Sequence, residues 1–179
     1  HHLPELTAEA FENGWFHTGD IGEFDEQNNL YITDRKKDLI KTSGGKYVAP
    51  QKVEASLAAN IPLLSQAVVL GEGHKYIVAL LALEERAVLR WGRRHGKSRA
   101  TYADLIRDPE LIAAMQAGVD RANTRLERWE TVKRFAILDH DMSNNKDLVT
   151  TSLKVRRSVV AQQFRDLYES LYETDETTA

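Results

Sequence analysis

The sequence DRKKDLIKTSGGKYVAP, residues 34–50, is the part of the chain around which the rest is arranged. Its charged beginning is typical of an ordered turn, and the apolar pair Leu39-Ile40 predicts one short strand after it. The pair Gly44-Gly45 can adopt positive φ and lets another molecule approach the backbone, as in a hairpin tip or a ligand-facing loop. Residue chemistry alone leaves both interpretations open. Pro50 predicts the first turn of a helix.

Composition bounds the class of protein. With 179 residues and 42% hydrophobic content, the chain can form one domain with a real core and a short flanking piece. A net charge of -3, from 24 basic and 27 acidic residues, gives no overall field that attracts nucleic acid or anionic lipid. The absence of cysteine excludes a disulfide framework and a thiolate zinc site, and it fits a reducing compartment. The longest apolar run, residues 77–83, is too short to span a bilayer, and the start of the chain lacks a signal-peptide pattern.

Two strand patterns stand out. Residues 21–24 and 30–33 flank a polar turn in which Asn28 can adopt left-handed geometry, so they predict a hairpin near the amino terminus. Residues 67–70 and 77–83 flank Gly71-Glu72-Gly73, which predicts a second antiparallel pair. The run at 77–83 is almost entirely apolar, so we expect it to be the central strand of a small sheet. Residues 132–138 are the expected third strand.

Helical spacing accounts for much of the remaining chain. Residues 84–95 predict one helix, and Asp108-Pro109 predicts the start of another, with Asp as N-cap. We expect that second helix to be long, because apolar residues recur at spacings of four and three at Leu111, Met115, Val119, Ala122, Leu126 and Trp129. A last helix is predicted from the same spacing at Val160, Phe164, Leu167 and Leu171.

The segment 86–99 is basic at its polar positions and carries Trp91 among its apolar ones. The favoured interpretation is the solvated face of a helix whose Trp contacts the core. Peripheral contact with a membrane surface, or with nucleic acid, is the alternative.

Several motifs in the same order resemble one known family. Thr18-Gly19-Asp20, then the charged turn at 34–38, then Lys41 to Gly45, are similar to the carboxy-terminal region of AMP-forming acyl-CoA synthetases of the long-chain fatty acid branch. The resemblance runs from about residue 8 to about residue 171. It also covers Lys154, which precedes an apolar position and a basic pair, as the catalytic Lys of the family does.

The resemblance implies a role for each matching residue. Asp20 and Arg35 would bind the ribose of ATP, and Lys37 would be the hinge on which a small lid domain turns. The Ser43-Gly44-Gly45 loop would face the pantetheine arm of coenzyme A (CoA), and Lys154 would be the catalytic residue of adenylation. An isolated Thr-Gly-Asp is more often a self-capped turn, and a single Lys more often a solvated charge. No metal site is expected, because the adjacent residues of Asp139-His140-Asp141 rarely converge on one ion.

The predicted architecture is α+β. A small three-stranded sheet covered by helices follows a β-hairpin fragment of a preceding domain. We expect residues 1–34 to end an amino-terminal adenylation domain, and residues 35–179 to form the carboxy-terminal lid domain. The resemblance implies a helical insertion at about 84–130, a feature of the long-chain branch.

The implied function is that of a long-chain fatty acid CoA ligase, which makes acyl-CoA through an acyl-adenylate. It uses ATP, CoA and Mg²⁺, with the Mg²⁺ site expected mainly in the amino-terminal domain, which is the expected partner together with the fatty acid. The chain alone is expected to be inactive, and its location cytoplasmic or at the cytoplasmic face of a membrane. The alternatives are a stand-alone nucleotide- or RNA-binding module that uses the basic segment 86–99, and an interaction domain without a ligand.

Overall fold

A computed structural model describes residues 4–140, 142, 145, 147–149 and 155–173. Its helices and strands follow in chain order: α1 Pro4–Ala10, β1 Phe11–Glu12, β2 Trp15–Phe16, β3 Asp20–Phe24, β4 Leu30–Arg35, β5 Ile40–Lys41, β6 Tyr47–Val48, α2 Pro50–Asn60, β7 Leu64–Leu70, β8 Ile77–Leu83, α3 Glu85–Arg94, α4 Tyr102–Leu105, α5 Pro109–Asn123, β9 Val132–Ile137, α6 Arg157–Gln163 and α7 Arg165–Glu173. A short 3-10 turn, Lys36–Asp38, follows β4.

The predicted amino-terminal hairpin is confirmed. Strands β3 and β4 pair antiparallel, with a bulge between Ile21 and Gly22. Asn28, in the connecting turn, has φ of 64°, the left-handed geometry that Asn tolerates better than other non-glycine residues. Asp25 accepts backbone hydrogen bonds from Gln27 and Asn29 and closes the turn.

The three-stranded sheet is confirmed, and β8 is its central strand. The order is β7-β8-β9, and all seven residues of β8 are buried. Strand β7 runs antiparallel to β8, whereas β9 runs parallel to it. A parallel neighbour needs a crossover connection, and α3, α4 and α5 lie in that connection between β8 and β9.

Helices cover both faces of the sheet, as expected for the predicted α+β class. Alternate residues of a strand point to opposite faces, so Val69, Ala79 and Leu81 pack on one side and Val68, Val78 and Leu80 on the other. The first group shares a core with α2, α3 and α5, and the second with α6 and α7. None of the helices among the described residues is long and apolar enough to cross a bilayer.

The long helix predicted from Asp108 to Trp129 begins as expected but ends early. Asp108 caps it and accepts a hydrogen bond from the Glu110 N–H, and the helix stops at Asn123. The Asn123 side chain then forms hydrogen bonds with both the N–H and the C=O of Val132, at 2.9 Å each, and these bonds position the first residue of β9. The prediction is therefore wrong beyond Asn123, and Trp129 is 41% exposed instead of lying on a helical stripe.

The last predicted helix is two helices. The backbone leaves helical geometry at Phe164, with φ of -104° and ψ of 28°, and α7 then starts at Arg165. The break changes which side of the chain faces the sheet, so Tyr168 is buried while the predicted stripe residue Leu167 is 37% exposed. The single stripe inferred from spacing is wrong at that position.

Candidate nucleotide-binding and hinge region

The register of β3 and β4 brings the two predicted ribose-binding residues together. Asp20 and Arg35 are direct cross-strand partners, and Arg35 Nε lies 2.6 Å from Asp20 Oδ1. Their side chains are 26% and 54% exposed, so the pair can be reached from solvent. Asp20 N–H donates to Thr18 Oγ1 at 3.1 Å, and Lys36 N–H donates to the Gly19 carbonyl at 2.8 Å. Thr-Gly-Asp and the charged turn therefore form one exposed polar site.

The segment predicted as a hinge is a single exposed turn. Lys37 lies in the 3-10 turn between two residues of extended backbone, Arg35 at φ -104°, ψ 137° and Leu39 at φ -61°, ψ 134°. Its side chain is exposed. The turn contains no buried residue, so its torsions can change without disrupting a core.

Asp34 is a structural residue that sequence reasoning missed. It is only 2% exposed, and its carboxylate accepts hydrogen bonds from the Arg35 N–H at 2.7 Å, the Gln51 N–H at 2.9 Å and Gln51 Nε2 at 3.2 Å. Ala49, the N-cap residue of α2, has no side chain that can accept a hydrogen bond, so Asp34 supplies the cap from a distance. The only signal in the sequence was an unsuitable N-cap before Pro50.

The predicted CoA-facing loop is the tip of the β5–β6 hairpin. Thr42 N–H donates to the Lys46 carbonyl at 2.9 Å, and Gly45 N–H donates to the Thr42 carbonyl at 2.9 Å. Gly45 has φ of 76°, and a Cβ at either Gly44 or Gly45 would meet nothing within 4 Å. The two interpretations left open by the sequence are thus compatible, because the hairpin tip is also open to an approaching molecule.

Arg157 anchors the end of the predicted catalytic segment. Its Nη2 lies 2.7 Å from Glu54 Oε1, and its Nε donates to the Val69 carbonyl at 3.1 Å. Glu54 Oε1 also accepts a hydrogen bond from the Val69 N–H at 2.9 Å. Glu54 and Arg157 together therefore bind both backbone groups of Val69 at the outer edge of β7. Burial raises the pKa of Glu54, and the nearby Arg157 opposes that rise.

Lys154 itself lies outside the described residues. The chain on either side of it is held together: Val149 and Val155 form an antiparallel bridge, and Arg156 N–H donates to the Leu148 carbonyl at 2.7 Å. The catalytic assignment of Lys154 therefore stays a prediction.

A cleft of about 930 Å³ joins the hinge to the residues that follow Lys154. Arg35 and Lys37 line one side of it, and Arg156 and Arg157 line another. Asp20 and the Gly44-Gly45 tip are not among its lining residues. Among the described residues, no group of three or more His, Cys, Asp or Glu side chains could hold a metal ion.

The basic segment 86–99 is partly neutralised by neighbouring carboxylates. Arg90 lies 3.4 Å from Glu84, and Lys97 lies 2.5 Å from Asp108 and 2.8 Å from Glu110. These ion pairs support the interpretation of a solvated helical face over the alternative of membrane contact.

Comparison with known protein families shows to which family the chain belongs. The model of the AMP-binding enzyme C-terminal domain family matches residues 37–176. The chain belongs to this family. The resemblance inferred from the Thr-Gly-Asp, charged-turn and Gly-Gly motifs is confirmed, and the AMP-binding enzyme C-terminal domain has relatives among long-chain fatty acid CoA ligases.

The similar full-length proteins are enzymes. The chain is 43% identical over 169 residues to the long-chain-fatty-acid–CoA ligase FadD15 of Mycobacterium tuberculosis, covering 94% of the chain and 28% of that protein. It is 30% identical over 190 residues to the long-chain-fatty-acid–CoA ligase ACSBG1 of Rattus norvegicus, covering 96% of the chain and 26% of that protein. The chain thus spans little more than a quarter of the length of these relatives. They give no support to a stand-alone nucleotide- or RNA-binding module.

Solved structures agree on the fold. A Mycobacterium tuberculosis fatty acyl CoA synthetase is 27% identical with a TM-score of 0.52, over 92% of this chain and 27% of that one. The A domain of a carboxylic acid reductase from Segniliparus rugosus, in complex with AMP and a co-purified carboxylic acid, has a TM-score of 0.72 at 23% identity, over 97% of this chain and 26% of that one. At that identity the second match shows the fold alone.

Proposed function

We propose that this chain is the mobile carboxy-terminal part of a long-chain fatty acid CoA ligase. The observation that carries the proposal is the cross-strand pairing of Asp20 with Arg35 immediately before the exposed Lys37 turn. This arrangement brings together the residues that the family resemblance assigns to ribose binding and to the hinge. The relatives named as long-chain-fatty-acid–CoA ligases supply the proposed substrate class.

The proposed reaction has two steps. A fatty acid carboxylate oxygen attacks the α-phosphorus of ATP, and pyrophosphate leaves, which gives an acyl-adenylate. The thiol sulfur of CoA then attacks the acyl carbonyl, and AMP leaves with the electron pair of the broken carbon–oxygen bond, which gives the thioester. The thiol proton is lost in this second step.

Asp20 and Arg35 suit ribose recognition because their ion pair is exposed. Such pairs typically contribute no more than about 1 kcal/mol, so a bound ribose can rearrange the pair at low cost. The carboxylate of Asp20 can accept hydrogen bonds from ribose hydroxyls, and the guanidinium of Arg35 can donate to hydroxyl oxygens.

Lys154 is the proposed catalytic residue. Two anions, the carboxylate and the α-phosphate, must approach each other, and further charge develops on the phosphoryl oxygens in the transition state. An ammonium placed between them would reduce the repulsion and stabilise that charge. The Arg157 anchor supports this role, because it holds the chain three residues away against α2 and β7.

The two steps need different faces of the lid. We propose that residues 35–179 rotate about Lys37 relative to an amino-terminal domain that includes residues 1–34. One orientation presents Lys154 for adenylation, and the other presents the Ser43-Gly44-Gly45 loop to CoA. The amino-terminal hairpin supports such a partner, since its large apolar residues are exposed: Phe24, Leu30, Tyr31 and Ile32.

The reaction also uses Mg²⁺, which neutralises phosphate charge when bound. By the family resemblance, we propose that the Mg²⁺ site lies mainly in the amino-terminal domain, and no step is assigned to the ion here. A cytoplasmic location remains a prediction.

The test is Lys154→Ala in the complete enzyme, with the two half-reactions measured separately. Loss of one preorganised donor predicts a fall in acyl-adenylate formation of roughly 10²- to 10³-fold, on the order of 3 to 4 kcal/mol. Transfer from preformed acyl-adenylate to CoA should be nearly unchanged. Arg156→Ala is the matched control, because it removes an exposed cation from the same segment. An unchanged adenylation rate in Lys154→Ala would refute the assignment.

A further inference from the structure

The Ser43-Gly44-Gly45 loop, which we propose to face CoA, has little secondary structure of its own to hold it in place. Its two strands, β5 and β6, have two residues each. Residues 43–46 are exposed, and the glycines at the tip have no neighbours that a Cβ would meet. A loop of this kind keeps a fixed position only if another part of the chain holds it.

The turn between β7 and β8 supplies that support. Ser43 N–H donates to the His74 carbonyl, and Gly73 N–H donates to the Lys41 carbonyl, both at 2.9 Å. The carboxylate of Glu72 also accepts from the Lys41 N–H at 2.9 Å. Three hydrogen bonds therefore join the end of β5 and the start of the loop to a turn some thirty residues away in sequence. Beyond the tip, Lys46 Nζ lies 4.8 Å from the centre of the Trp129 ring, in the crossover connection.

Helix α7 in turn holds His74. The imidazole stacks on Tyr172 with ring centres 3.9 Å apart and planes at 20°, and it meets Tyr168 edge to face with ring centres 5.4 Å apart. Tyr172 donates its hydroxyl to the Tyr76 carbonyl at 3.1 Å. Burial raises the pKa of Tyr172, so the phenol keeps its proton and stays a donor. The aromatic contacts thus join the carboxy-terminal helix to the backbone group that binds Ser43.

We propose that the turn Gly71–His74 positions the Ser43-Gly44-Gly45 loop for CoA, with Glu72 and His74 as positioning residues and the Tyr172 stack as their support. The inference rests on the proposed CoA role of the loop. Neither side chain needs to touch CoA. A displacement of the loop by about an ångström is enough to weaken a step that depends on orientation, and the two-residue strands cannot prevent it.

Glu72 gives the cleanest test, because it is exposed and its replacement should not disturb the core. In the complete enzyme, Glu72→Ala removes the acceptor for Lys41 N–H, whereas Glu72→Gln keeps a side-chain oxygen that can accept. We expect Glu72→Ala to raise KM for CoA roughly five- to ten-fold, as the loss of one ordinary hydrogen bond at an exposed position predicts. Glu72→Gln should change it less than about two-fold, and acyl-adenylate formation should be unchanged in both.

Deuterium uptake of a peptide that covers residues 41–46 tests the positioning separately from catalysis. We expect faster uptake in Glu72→Ala and in Tyr172→Leu, which loses the stack, and little change in Tyr172→Phe, which keeps it. Unchanged uptake in Glu72→Ala would overturn the positioning inference whatever the kinetics. Faster uptake with an unchanged KM for CoA would instead overturn the proposed CoA role of the loop, and the inference with it.

Discussion

Replacing Arg157 by Met should destabilise the fold by leaving the partly buried carboxylate of Glu54 without its partner. The Arg157 and Glu54 side chains are only 22% and 18% exposed, and their closest atoms are 2.7 Å apart. Arg157 also donates to the Val69 carbonyl, and that acceptor would lose its bond. Met preserves most of the aliphatic length, so the change tests charge and hydrogen bonding more than volume.

The expected loss follows from the geometry. Removal of one partner from a fully buried pair costs about 3 to 5 kcal/mol, because the remaining charge is not compensated. The pair here is partly exposed, so water can hydrate Glu54 to some extent. Glu54 also keeps its hydrogen bond from the Val69 N–H. We therefore expect a loss of about 2 to 3 kcal/mol in the free energy of unfolding at pH 7.

The loss should depend on pH with a definite sign. The pKa of Glu54 is raised above its usual value of 4.5, mainly by burial, and Arg157 lowers it in part. Without Arg157 the folded-state pKa rises further. A group with a raised folded pKa contributes stability that is complete below the unfolded pKa and is lost as pH rises through the folded value. Arg157→Met should consequently be less destabilised at pH 5 than at pH 7.

Urea unfolding at both pH values measures this effect. The double variant Glu54→Gln/Arg157→Met is the control, because it has no carboxylate to titrate at this position and should lose the extra pH dependence. The explanation is refuted if Arg157→Met lowers the free energy of unfolding by less than about 0.5 kcal/mol at pH 7, which is the range of ordinary surface substitutions. An equal cost at pH 5 and pH 7 would refute the part that concerns Glu54.

Substitutions in three further parts of the chain test the hinge, the loop and the helix cap supplied by Asp34. Lys37→Pro in the complete enzyme should restrict the turn to one φ and so abolish one half-reaction while the other persists; equal loss of both, with the fold intact, would argue against a hinge. Gly45→Ala should cost about 1 kcal/mol in urea unfolding because its φ is 76°, whereas Gly44→Ala, at ordinary φ and with open space, should be nearly neutral; equal effects would exclude the backbone explanation. Asp34→Ala should lower stability by about 1 to 2 kcal/mol in the same assay, and Asp34→Asn by less, since Asn also caps helices.

The strands were predictable because their signals are local. The apolar run at 77–83 indicated a central strand, and the glycines at 71 and 73 indicated the turn before it. The early helix end at Asn123 was not predictable from spacing, because it depends on two hydrogen bonds to Val132, a residue of the next strand. The break at Phe164 likewise has no glycine or proline to announce it.

In the candidate site, too, the sequence identifies residues but does not show which distant residues they contact. The motif residues Asp20 and Arg35 could be named from the sequence, but their pairing depends on the register of two strands with a bulge. The structural roles of Asp34 and Glu54 could not be inferred from the sequence, since Gln51 and Arg157, to which they bind, are 17 and 103 residues away. Only the folded chain brings such partners within hydrogen-bonding distance.

The parallel pairing of β8 with β9 has a consequence for the order of folding. Strands β7 and β8 are joined by a short turn, and α2 precedes them directly, so these parts can meet early at a small cost in loop entropy. Strand β9 can join only when the chain between residues 84 and 131 has been brought round, which is a long-range event. We therefore expect the docking of β9 to lie at the rate-limiting barrier. Substitutions in β9, such as Val132→Ala, should then slow folding, as should Val69→Ala in β7, whose contacts form earlier.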